Sequence, residues 1–178
     1  MHENLVKTVK AWPVIAAVTI SLCFATQWVA GLFGIDLPDQ QNVDTVREWM
    51  LHAFDSPRNF TTCAILLVQV LLLLPMLEEL VFRWLLFMLP GRLAAKRRGQ
   101  RTLRPATAAF ALAAVSSALF SAAHYIAQPF PDSAFFALFF FGLAQCWLYA
   151  RTDRIWCPML NHALFNLTNV VLMLVLPK

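Results

Sequence analysis

Five apolar stretches dominate this chain: Trp12 to Ile35, Phe60 to Leu89, Pro105 to Ala127, Ser133 to Ala150 and Ile155 to Leu176. Each approaches or exceeds the ~20 residues that carry an α-helix across a bilayer. Lipid offers no water to stray backbone groups, so such runs have little choice but helices. The sequence shows no internal repeat, no low-complexity segment and no room for a soluble domain. The predicted fold is all-α: a single polytopic membrane domain over residues 1–178, with about five transmembrane helices. Residues 1–59 supply an N-terminal anchor helix and a polar outer loop, and residues 60–176 supply a four-helix core that encloses a polar chamber, with the anchor helix packed outside it.

Composition supports the membrane reading, because 60% of residues are hydrophobic and only 13% are charged, against about a quarter charged in soluble domains. The opening MHENLVKTVKAW is charged but leads into no short apolar core with a small-residue cleavage site, so the first run reads as a retained anchor. The net charge of +4 reads as loop bias and not as a nucleic-acid surface. Cys23, Cys63, Cys146 and Cys157 lack CxxC spacing and read as small buried thiols.

Loop charge orients the bundle. Arg92, Lys96, Arg97, Arg98, Arg101 and Arg104 crowd the 91–104 segment without an acid, which marks a cytoplasmic loop. Asp36, Asp39, Asp44, Glu48 and Asp55 outnumber Arg47 and Arg58 in the next outer loop. Lys7 and Lys10 place the N-terminus inside, as Arg151 and Arg154 do for the 151–154 turn. The expectation is a multi-pass protein of the cell (inner) membrane with a cytoplasmic N-terminus.

Against that background Glu78, Glu79 and Arg83 stand out. A charge at a helix centre costs roughly 2.5–3.5 kcal/mol on insertion scales, and such groups are kept mainly where they work. Residues four apart share a helical face, so Glu79 and Arg83 form an ion pair and Glu78 points elsewhere, free for chemistry. Mutual pairing or snorkelling leaves one acid over. Pro75 cannot donate to the carbonyl of Leu71, so the helix should kink or loosen there and admit water beside Glu78.

Two further spans carry polar pairs at the same spacing: Phe120 with His124, and His162 with Asn166. Singly, each suits packing or interhelical hydrogen bonding; Asn161 and Asn169, off that face, read as such glue. Together they complete a set. Glu78 can take a proton from water, with His124 orienting the water or sharing the base role, and His162 and Asn166 can donate to a developing oxyanion. The same Glu78, His124 and His162 also match a two-His, one-Glu ligand set for Zn²⁺, so the cofactor stays open between none and zinc.

The ordered motifs EExxxR (Glu78, Glu79, Arg83), FxxxH (Phe120, His124) and HxxxN (His162, Asn166) resemble those of the CPBP family, also called ABI. That family comprises CAAX prenyl endopeptidases and bacteriocin-processing or immunity-type membrane proteases. The similarity runs from about Phe60 to Asn169, through LEELVFRWLLF, SSALFSAAHY and FFFGLAQCWLYARTDRIWCPMLNHALFN; Trp84 stands where relatives commonly have Gly. The resemblance implies hydrolysis of a peptide bond in a membrane-associated peptide or protein. It carries the catalytic roles to Glu78, His124, His162 and Asn166, with Glu79, Arg83 and Phe120 in support, in either a glutamate-type or a zinc-dependent version. Maturation of a secreted peptide or trimming of a C-terminal anchor is the expected use. Two other classes fit parts of the pattern. A proton-coupled carrier would also place Glu, His and Arg in spans but lacks here the paired broken helices of transporters. A non-catalytic scaffold or immunity protein of the same fold would have no use for all four site residues. One tension stands: Glu78 and His162 fall in the cytoplasmic half, whereas His124 falls about 20 residues beyond Pro105, towards the outer face.

Overall fold

Pro57 opens a helix that runs well past the end of its predicted span. Ser56 caps it, accepting from the Asn59 backbone N–H at 3.1 Å, and proline at N1 has no N–H left to satisfy. The helix then continues for 41 residues, Pro57–Arg97. The structure is a computed structural model and describes residues 1–37, 41–97, 99, 106–127 and 134–175. Its helices are α1 (His2–Leu32), α2 (Gln41–Leu51), α3 (Pro57–Arg97), α4 (Ala106–Ala127), α5 (Ala134–Thr152) and α6 (Trp156–Val175). No strand occurs among the described residues. All but α2 are long and apolar enough to cross a membrane, so the all-α polytopic bundle of five spans holds. Asp39, Arg98, Arg101, Arg104, the span ends Pro105, Ser133 and Leu176, and the side chain of Asp44 lie outside the described residues.

Three expectations about organisation change. First, Arg92, Lys96 and Arg97 belong to the last turns of α3 and not to a loop. Arg92 forms an ion pair with Asp153 in the α5–α6 turn, where Asp153 takes a left-handed φ of 51° that short polar side chains tolerate. Second, the outer loop contains a helix, α2.

Third, α1 is longer than the predicted Trp12–Ile35 span and packs against the core along two of its helices. It starts ten residues before Trp12 (His2 against Trp12) and packs on α5 and α6. Ile15 and Ala16 join Phe120, Phe141 and Phe165 in one buried cluster. Polar bonds reinforce the seam: Trp12 Nε1 donates to Thr168 Oγ1 at 3.1 Å, Asn4 Nδ2 to the Thr152 carbonyl at 3.3 Å, and Asn161 Nδ2 to the Thr8 carbonyl at 3.4 Å. Thr8 and Thr19 can be buried because each hydroxyl donates to a carbonyl four residues back, at 2.8 Å. Lipid is as apolar as any core side chain, so close packing and hydrogen bonds, more than hydrophobicity, join helices here.

The same rule shapes the α4–α5 contact. Gly142 lets the two backbones meet: a Cβ there would stand 2.8 Å from Ser117 Cβ and 3.1 Å from Ser117 Cα. Elsewhere the bundle turns Phe24, Trp28, Phe110, Phe136 and Trp147 outward, as a lipid solvent permits.

Candidate active site

The site begins with two prolines. Helix α3 contains π-helical turns at Gln69–Leu73 and Glu79–Met88. Each closes immediately before a proline: the Leu74 N–H donates to Gln69 O ahead of Pro75, and the Leu89 N–H donates to Trp84 O ahead of Pro90. A proline ring clashes with the carbonyl four residues back, and widening to an i→i+5 turn moves that carbonyl aside. The loosening expected at Pro75 therefore takes the form of a π turn, and Pro75 itself is buried.

The wide turns also alter which way the two glutamates face. A π turn holds more residues than the 3.6 of an α turn, so neighbouring side chains diverge less. Glu79 starts the second π segment, and both carboxylates reach His162. Glu79 Oε1 lies 2.8 Å from His162 Nδ1, and Glu78 Oε2 lies 3.5 Å from Nε2 of the same ring. A carboxylate only accepts, so the shorter contact puts the proton on Nδ1. Glu79 Oε2 in turn faces Arg83 Nε at 3.2 Å, with both side chains fully buried. The expected same-face pair is present, and Glu79 additionally holds His162.

Arg83 is buried with Nε, Nη1 and Nη2 lacking a hydrogen-bond partner. Its guanidinium instead lies over Phe120, 4.2 Å from the ring centre, with Phe82 at 5.9 Å. A cation over an aromatic face gains about 2 kcal/mol when desolvated, which offsets part of the missing hydrogen bonding. Phe120 thus has a concrete place: below Arg83 on one side and 4.5 Å from the His124 ring on the other.

His124 Nδ1 lies 3.0 Å from the Phe120 carbonyl. That oxygen only accepts, so Nδ1 carries the proton and Nε2 keeps its lone pair in the neutral ring. This bare nitrogen faces Glu78 Oε1 at 3.7 Å. The depth conflict anticipated between His124 and the other two residues does not arise, because α4 packs along α3 and brings His124 level with Glu78. Exposure is graded across the site: His124 and Glu78 side chains are 30% and 24% exposed, His162 5%, Glu79 and Arg83 none.

Asn166 lies one turn beyond His162, and its Nδ2 donates to the Val70 carbonyl at 2.9 Å. One of its two N–H groups is therefore engaged with α3 and the other remains. The residues around His162 that sequence reasoning missed are Phe141, whose ring centre is 5.0 Å away, and Phe165, which packs on Phe141 at 4.6 Å. Nothing distinguishes these phenylalanines from the others in apolar spans. Gln145 was also missed; its Nε2 donates to Asn161 Oδ1 at 2.8 Å, joining α5 to the residue before His162.

Among the described residues no group of three or more His, Cys, Asp or Glu side chains is disposed to hold a metal ion. The two imidazoles approach opposite oxygens of the Glu78 carboxylate. Cys63, Cys146 and Cys157 are buried, as expected of small thiols in apolar spans, whereas Cys23 is only partly buried.

Searches of curated proteins and of solved structures gave no match. A family profile described as type II CAAX prenyl endopeptidase Rce1-like matches residues 59–168, more than half of the chain and a segment that contains Glu78, His124, His162 and Asn166. With five apolar helices around those residues, the chain belongs to the Rce1-like family of type II CAAX prenyl endopeptidases, which are membrane proteases.

Proposed function

We propose that this protein is an intramembrane endopeptidase in which a water activated at Glu78 attacks a peptide bond of a membrane-associated peptide or protein. The observation that carries the reading is the position of the Glu78 carboxylate between two imidazoles, 3.7 Å from His124 Nε2 and 3.5 Å from His162 Nε2, while remaining partly exposed. Both distances exceed a good hydrogen bond and suit a bridging water.

In this mechanism the water donates to the His124 lone pair and to Glu78, and its oxygen attacks the carbonyl carbon as Glu78 takes the proton. The C=O π pair moves to oxygen. His162 and the second N–H of Asn166 stabilise that oxyanion. With Nδ1–H held by Glu79, His162 Nε2 donates only as imidazolium. Glu78 then returns its proton to the amide nitrogen, the oxyanion re-forms the C=O as the C–N bond breaks, and the remaining water proton passes from the new carboxyl group to the amine, so that a carboxylate and an ammonium leave. No step runs through a metal.

The charge distribution supports a multi-pass cell-membrane protein with its N-terminus inside. Lys7 and Lys10 near the start of α1, Arg92, Lys96 and Arg97 at the end of α3, and Arg151 and Arg154 at the α5–α6 turn share one end of the bundle, joined by the Asn4–Thr152 and Arg92–Asp153 contacts. Residues 60–176 form the protease core in this reading. The substrate is a peptide or protein anchored in the same bilayer, matured or trimmed near its membrane end.

The test is Glu78→Gln in purified, bilayer-reconstituted protein, scored on a panel of membrane-anchored peptides that includes prenylated CaaX sequences. The variant should fold and lose cleavage by ~10²–10⁴-fold, the range of a general base. Cleavage surviving at the wild-type rate would end the reading.

A further inference from the structure

We propose that Pro75 is a positioning residue for the active site, acting by withholding one backbone hydrogen bond so that Asn166 must supply it. The Leu74 N–H is committed to Gln69 O, five residues back. In the same register the next donor would serve Val70 O, and that donor is Pro75, which has no N–H. In that register Val70 O has no donor five residues on, inside a membrane span where an unsatisfied carbonyl is costly. Asn166 Nδ2 fills the gap at 2.9 Å.

The consequence reaches His162. Asn166 lies four residues on, on the same helical face, and its carboxamide would otherwise rotate freely about its last torsion. Donating one N–H to a fixed carbonyl on α3 locks that plane and so fixes the direction of the second N–H. A proline in α3 thereby orients a side chain of α6, and it ties α6 to the stretch of α3 that leads into Glu78. This rests on the endopeptidase reading above only for its effect on rate; the hydrogen-bond relay itself can be measured without any substrate.

The substrate-free arm is a double-mutant cycle on thermal stability with Pro75→Ala and Asn166→Ala. With Pro75 present, Asn166→Ala should lower Tm by ~3 °C, because Val70 O loses its donor. In the Pro75→Ala background the backbone regains an N–H at position 75, and the same Asn166→Ala change should cost almost nothing. Equal losses in both backgrounds overturn the relay. Pro75→Ser also restores the N–H and serves if Pro75→Ala folds poorly.

The second arm is kinetic. Pro75→Ala should lower kcat about tenfold with KM unchanged, since only the oxyanion donor loses its fixed direction. If the stability cycle shows coupling but kcat stays at the wild-type value, the relay is structural and the positioning role is wrong. Absence of cleavage by wild-type protein on every peptide tested would instead count against the endopeptidase reading and leave the stability arm to decide the relay.

Discussion

His162 Nδ1 lies 2.8 Å from Glu79 Oε1, and that one contact joins the buried ion pair of α3 to the accessible carboxylate next door. Glu79 takes Arg83 on one oxygen and His162 on the other, while Glu78 meets the far nitrogen of the same imidazole. The EExxxR motif is thus a bracket around a histidine as well as a salt bridge.

Glu79→Gln should therefore do two kinds of damage. Removing one partner of a buried pair leaves Arg83 uncompensated, at a cost of ~3–5 kcal/mol, and His162 loses its charged anchor. Thermal unfolding in detergent should show a fall many times larger than for Glu78→Gln, whose carboxylate is partly exposed. Equal stability for the two variants would contradict the division of roles.

Phe120→Leu isolates the aromatic face beneath Arg83. Leucine keeps most of the apolar volume but removes the ring quadrupole that stands in for the missing guanidinium hydrogen bonds. A loss of ~1–2 kcal/mol is expected beyond the usual penalty of a volume-conserving core swap. Comparing it with Phe141→Leu, which lacks an arginine above it, provides the control.

Gly142→Ala should be destabilising by ~1–3 kcal/mol, as overpacking generally is, because its Cβ would meet Ser117 Cβ at 2.8 Å. Adding Ser117→Gly should recover part of the loss, whereas Ser117→Ala, which keeps the Cβ, should not. A recovery with alanine would mean that the hydroxyl and not the backbone approach sets the limit.

Asn161→Leu should loosen α1. The carboxamide bridges Gln145 Nε2 and the Thr8 carbonyl in a fully buried setting, and leucine would leave both partners unmatched at ~1–3 kcal/mol. Amide hydrogen exchange in the first turns of α1 should quicken, while α3 and α4 stay protected. Uniform quickening across the bundle would show that α1 is not the element this bridge secures.

Chelation addresses zinc directly. The proposed glutamate–water mechanism predicts cleavage that survives dialysis against a strong chelator, with zinc well below one equivalent in active protein. Stoichiometric zinc that is lost in His124→Ala, together with activity, would replace the glutamate–water mechanism by a metal one.

Much of the fold and site is legible in the sequence, for identifiable reasons. Long apolar runs force helices in lipid whatever their neighbours do, so the five spans follow from hydropathy. The Glu79–Arg83 pair follows from four-residue spacing, which survives even through a π turn. The placement of α1 does not follow, because Thr8, Ile15, Ala16 and Thr19 form no pattern that tells a protein-facing stripe from a lipid-facing one. The end of α3 reads as a loop because cations at a membrane edge look alike in a helix and in a turn.

What the sequence by itself determined is local: which segments are helical, which spans carry ionisable groups, and that Pro75 must deny some carbonyl its donor. Only the tertiary structure decided that Asn166 donates to the Val70 carbonyl and that both glutamates converge on one imidazole. These outcomes depend on the π register of α3 and on the heights of α4 and α6 beside it. Register and height are set by contacts between residues far apart in the chain, such as Asn166 with Val70 and Glu79 with His162, and no window along the sequence contains both partners.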